Sequence, residues 1–107
     1  RTQSERGSQM EHMPEPKLFN VTECVVECML DEVLHEEKMC TCRQCRLDVM
    51  ALALNHLPPK YVVSEQGKAF EIYRLQGLAQ SRVTVYQEIL RAAQIVKQRP
   101  HHKRQQA

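Results

Sequence analysis

Cys40, Cys42 and Cys45 sit in the run "CTCRQC", a C-x-C-x2-C spacing. Thiolates are soft ligands, and tetrahedral zinc accepts three or four of them at about 2.3 Å. Where such a run opens a helix, unpaired backbone amides favour thiolate over thiol. The short spacing leaves little chain entropy to lose when the sulfurs converge. Redox-active thiols are a competing reading, because C-x-C and C-x2-C pairs can exchange disulfides. No thioredoxin-like βαβ pattern accompanies them, however. A third reading is three free cysteines in a tight turn. Five cysteines is an odd number, which suits Zn2+ better than a disulfide framework.

A tetrahedral site asks for a fourth ligand. In an antiparallel helical hairpin Cys28 would lie roughly 13 Å from the connecting loop at 1.5 Å per residue. Cys24 lies farther still and is better explained as the apolar partner of Phe19. His35 falls in the last turn before the loop and is the local candidate. Another subunit, the His101-His102 pair or a water could also complete the shell.

The elements that must position these residues follow from periodicity and punctuation. Asn20 with Glu23 fits a variant capping box, with Phe19 placed to staple the start. A helix then runs to about Glu37, carrying Val21, Val25, Met29, Leu30, Val33 and Leu34 inward. Glu23, Glu27, Asp31, Glu36 and Glu37 form an acidic face, either solvated or a docking surface for a basic partner. A second helix starts at about Arg43 or Gln44 and stops before Pro58-Pro59, since proline disfavours helical geometry in the residue before it. Its stretch from Val49 to Leu54 is apolar all round, so it must be covered on every side. In so short a chain a subunit interface is the economical cover, with Val49, Leu52, Ala53 and Leu54 as its core. Residues 61–63 and Lys68 to Tyr73 flank Ser64-Glu65-Gln66-Gly67 and read as a short β-hairpin, with Gly67 at a positive φ. A third helix is expected from about Ala79 to Gln98, with Leu78, Val85, Ile89, Ala93 and Val96 in one stripe. The expected fold is mainly α: a small domain of about three main helices with a short β-hairpin, forming a homodimer.

Residues 1–17 are polar, broken by Gly7, Pro14 and Pro16, and are expected to be a disordered arm. Residues 18–100 form the domain, and residues 101–107 are a basic flexible tail. At 107 residues one domain is the natural count. The core must come from Leu, Val, Ala and Met, as there is no Trp. Chains this short often recruit a metal or a partner subunit to supplement their burial. A net charge of +2 is too small to argue for nucleic acid or a membrane surface. The basic run from Lys97 to Arg104 is short and has no aromatic platform beside it, so nucleic-acid binding is not expected. No stretch nears the roughly 20 apolar residues of a membrane-spanning helix, and no signal-like block opens the chain. The expected location is the cytoplasm. No Ser-His-Asp pattern or H-E-x-x-H appears, and three glycines leave little for a phosphate loop. A non-enzymatic role is expected.

The run "CTCRQCRLDVMALALNHLPPKYV" closely resembles the hallmark of the late-competence ComFB family, a cysteine turn followed by R-x-D-V-x-A-L-A-L-N-x-L-P-P-x-Y-V. Arg46, Asp48, Val49, Ala51, Leu52, Ala53, Leu54, Asn55, Leu57, Pro58, Pro59, Tyr61 and Val62 stand at those places. Upstream "NVTECVVECMLDEVL" and downstream "VVSEQGKAF" and "EILRAAQIVKQRP" are also similar, so the resemblance spans roughly residues 18–100. It implies a small, mainly helical, zinc-binding homodimer with no known catalysis. Some members are receptors for cyclic dinucleotides, linking second messengers such as cyclic di-GMP and cyclic di-AMP to competence, pili or motility. Cys24 and Cys28 depart from the residues usual there. On that reading Arg43 and Arg46 are candidate clamps for two phosphates. Asp48 would accept from a guanine edge, or each of the three serves only a structural ion pair. A module that binds only another regulatory protein is the alternative.

Overall fold

The first helix begins where Asn20 can cap it. The Asn20 side-chain oxygen accepts the Thr22 N–H at 3.2 Å, satisfying one of the orphan donors of a helix start. The same oxygen accepts the Lys60 N–H at 3.1 Å, and the Val21 N–H donates to the Lys60 carbonyl at 2.6 Å. One asparagine therefore caps a helix and clips on a distant loop.

The computed structural model describes residues 15–100. Nearly all of the expected N-terminal arm, and the whole basic tail with His101 and His102, lie outside the described residues. The order is β1 (Phe19–Asn20), α1 (Val21–Glu36), α2 (Arg43–Leu54), β2 (Tyr61–Val62), α3 (Glu65–Gly77) and α4 (Ala79–Gln98). The fold is mainly helical, with one antiparallel strand pair among the described residues, as expected. Helices α1 and α4 fall within a residue or so of the expected bounds, and α2 starts as expected but ends at Leu54, with Asn55 as its C-cap, a few residues before Pro58.

The strand pair is built differently from the expected local hairpin. β2 pairs with β1, setting Phe19 opposite Val62 and Asn20 opposite Tyr61. Residues 68–73 are not a strand but the middle of α3, and Gly67 does not adopt a positive φ. The local reason is Ser64, whose Oγ accepts the Gly67 N–H at 2.9 Å and so caps a helix instead of closing a hairpin. Gly67 suits this place because an added Cβ would meet Ser64 Oγ at 3.0 Å. The pairs Lys68–Glu65 and Arg74–Glu71 are both at i,i+3 spacing. That is a helical charge pattern which alternation of apolar residues had masked.

Helix α1 ends in a 6→1 and 5→2 pair of hydrogen bonds. Met39 N–H reaches the Leu34 carbonyl at 3.3 Å and Lys38 N–H reaches that of His35 at 3.0 Å. Lys38 occupies the left-handed position with φ 53°, where glycine is the usual residue. This turn reverses the chain and delivers the cysteine run to the start of α2.

The core is a three-helix junction. Val26, Leu30, Val33 and Leu34 of α1 meet Cys45, Val49 and Ala53 of α2 and Ile89, Ala92, Ala93 and Val96 of α4. Each fully buried Val, Leu or Ile stabilises by about 1.5–3 kcal/mol, so these helices hold the fold. Helix α3 buries no residue completely and leaves Phe70 and Tyr73 largely in solvent. Among the described residues no helix is long and apolar enough to cross a membrane.

Candidate metal centre

Cys42 caps α2: its Sγ accepts the Cys45 N–H at 3.5 Å, while the Cys42 N–H donates to Cys40 Sγ at 3.5 Å. The cap folds the run inward, and the three Sγ atoms lie within 4.8 Å of one another. Sulfurs around tetrahedral zinc sit roughly 3.8 Å apart, given a metal–sulfur distance of about 2.3 Å. Small side-chain rotations therefore suffice, and the three thiols fit a metal ion. None of the chain's five cysteines is in a disulfide.

The thiols differ in electrostatics. The Cys45 amide, with further hydrogen bonds from Cys40, Cys45 and Gln44, pulls Cys42 down to about 7 against the effect of burial. Burial is the first cause pushing Cys45 up to about 12, followed by hydrogen bonds to Cys42 and Cys40. Cys45 is 1% exposed and belongs to the core, so as a thiol it packs like a small hydrophobe. A divalent cation overturns that preference, because a coordinated sulfur sheds its proton. An ion held there would therefore act directly on the packing of α2.

His35 is not part of this group. It is exposed, whereas its neighbours Val33 and Leu34 are buried. Cys24 and Cys28 also lie outside the group, as helix geometry requires. Burial raises Cys24, and nearby Glu23 and Glu27 add to the effect while Lys68 opposes it.

The candidate ligand clamp is divided. Arg46 of α2 forms an ion pair with Asp31 of α1, and Asp48 accepts from the Gln44 side chain at 3.0 Å. Arg43 is exposed on the first turn of α2. None of the three lines the cavity between α1, the Pro58-Pro59 loop and α4. The proposed dimer core is divided too. Val49 and Ala53 are fully buried by the chain's own helices, while Leu52 and Leu54 are half-buried. The outward side of α2 carries Leu47, 47% exposed, with Met50, Ala51 and Leu54 at helical spacing.

Sequence reasoning missed the cavity itself. Its walls come from α1, the loop before β2, the end of α3 and the start of α4. No local pattern joins residues so far apart in the chain.

Comparison with known proteins follows the same outline. The family described as "Late competence development protein ComFB" matches residues 19–100. A competence protein ComFB of Bacillus subtilis (strain 168) is 44% identical over 46 residues, covering 42% of this chain and 47% of that relative. The matched segment thus spans about half of the curated relative's length. A solved structure described as the late competence protein ComFB from Bacillus subtilis superimposes with a TM-score of 0.69 at 29% identity. That match covers 78% of this chain and 94% of the other.

Proposed function

The chain belongs to the late competence development protein ComFB family, and on that premise we propose that it is a zinc-stapled, non-catalytic regulatory module. The observation that carries this reading is the convergence of the Cys40, Cys42 and Cys45 sulfurs at the start of α2. Three thiolates select a soft or borderline cation, and zinc is the commonest such ion that stays redox-inert. Zinc there would supply fixed geometry and neutralise thiolate charge. The residues themselves cap α2, pack Cys45 into the core and hold the loop after Lys38. A water or a second copy's side chain takes the fourth position. Such thiolates suit a reducing compartment, and the cytoplasm is the proposed location.

The module acts by association. The outward apolar stripe of α2, with Leu47, Met50 and Leu54, is the proposed contact of a homodimer, supported from beneath by Val49, Leu52 and Ala53. Native mass spectrometry of the full chain tests both points. Two chains carrying two zinc ions are expected, and a metal-free single chain that remains folded would overturn the reading.

A second reading makes the module a cyclic-dinucleotide receptor. It is favoured by the exposed Arg43 beside Arg46 at the N-terminal turn of α2, where amides and guanidinium groups together suit phosphates. Ligand would have to displace Asp31 from Arg46. Calorimetry with cyclic di-GMP and cyclic di-AMP tests it, and absence of heat at high micromolar ligand leaves a protein-interaction role alone.

A further inference from the structure

The cavity between α1 and α4 has about 300 Å³ of space. Val25 of α1, Leu57 of the loop, Leu75 of α3 and Val85 of α4 give it apolar walls. No carboxylate lines it, and its two charged groups, Lys60 and Arg82, have the same sign. Among the described residues neither forms a side-chain ion pair within 4 Å, although the Lys60 charge acts on Glu71, which lies outside the cavity lining. Arg82 borders both this cavity and the neighbouring groove lined by Glu32 and Gln76, where its Nη1 donates to the Gln76 carbonyl at 2.9 Å and leaves further N–H donors. Lys60 is held through its backbone, accepting from Val21 and donating to Asn20.

We propose that this cavity binds a small amphipathic carboxylate, its tail among Val25, Leu75 and Val85 and its head against Arg82 and Lys60. The apolar walls receive the tail, and a charge-assisted bond to Arg82 holds the head. Size sets the tail. A cavity of about 150 Å³ accommodates benzene, so a body about twice that size, such as a medium-length acyl chain, fits here. A cyclic dinucleotide is too large to enter whole, so this site is separate from the one considered at Arg43. Its occupant would tie α3, which buries no residue completely, more firmly to the three-helix core.

The test uses the full zinc-loaded chain with octanoate, octanol and acetate as probes, followed by calorimetry and by chemical shifts of the Leu75 and Val85 methyl groups. Octanoate is expected to bind and shift those methyls, with octanol and acetate weaker by about tenfold or more. Arg82→Gln should bring octanoate down to the octanol level while the protein stays folded by circular dichroism, with the melt lowered only by the lost bond to the Gln76 carbonyl. Lys60→Gln, in the loop before β2, should weaken it in the same direction. No octanoate binding at low millimolar concentration, equal binding of octanol, or undiminished binding in both variants would each overturn the proposal.

Discussion

The Thr22 hydroxyl donates to the Pro58 carbonyl across 2.7 Å, joining residues 36 positions apart. Thr22 is a buried polar residue, 8% exposed, and Pro58 has no N–H to contribute to any ladder. The bond therefore fixes the Pro58-Pro59 corner onto the first turn of α1, where the Asn20 clip already holds Lys60.

Thr22→Val keeps the shape and removes the donor. It should cost about 1–3 kcal/mol by leaving a part-buried carbonyl unpaired, and about 1 kcal/mol already lowers Tm by roughly 4–8 °C in a domain of this size. Thr22→Ser should retain most of the stability. Thermal denaturation of the three proteins distinguishes a hydrogen bond from simple packing, since packing alone would leave the valine variant unharmed.

Lys38 offers the opposite sign. Its left-handed φ costs a non-glycine residue about 1–2 kcal/mol, against roughly 0.4–1 kcal/mol of extra unfolded-state freedom for glycine. Lys38→Gly should stabilise by about 0.5–1 kcal/mol. Lys38→Val, β-branched at the same backbone angle, should destabilise. Urea midpoints would check both, and a glycine variant weaker than wild type contradicts the assignment.

Cys42→Ser separates the metal from the cap. Serine is itself a good N-cap, so the start of α2 keeps its backbone bond while losing a sulfur. The variant should bind zinc more weakly, and a chelator should lower the melting temperature of the wild type only. Equal melts for both proteins, with and without chelator, would argue against a structural ion.

Leu47→Glu probes association more cleanly than Leu54→Glu, because Leu54 packs against the chain's own core. A charge at Leu47 should weaken self-association by more than about tenfold, as an uncompensated carboxylate resists desolvation. It should leave the monomer folded. Light scattering over a dilution series gives the mass, and an undiminished dimer would locate the interface elsewhere.

Acid dependence should be visible at Glu71. Arg74 holds this carboxyl below its ordinary 4.5 through hydrogen bonds from Nε and Nη2, with a smaller charge effect from Lys60. A depressed folded value means stability that is present above pH 4.5 and lost as pH falls through the folded pKa. Arg74→Gln should raise the Glu71 titration midpoint in carbon-detected NMR and flatten stability over that acid window. The effect is small, because the pair is on the surface.

Much of this protein was written locally. The Asn20 cap, the proline stop after α2, the 3.6-residue stripes of α1 and α4 and the cysteine spacing each need only a few neighbouring residues, and the structure keeps all of them. The acidic i,i+3 signals around Glu65 and Glu71 were equally local, but a stretch with apolar residues on several faces and a central glycine obscured them. Tertiary structure decided what no window could: that β2 pairs with a strand some forty residues upstream, that Val49 and Ala53 belong to the chain's own core, and that the three thiols converge without His35. Such outcomes depend on which faces meet after the chain reverses at Lys38. Direction and distance between helices arise from packing the whole set at once, whereas period and punctuation belong to each segment alone.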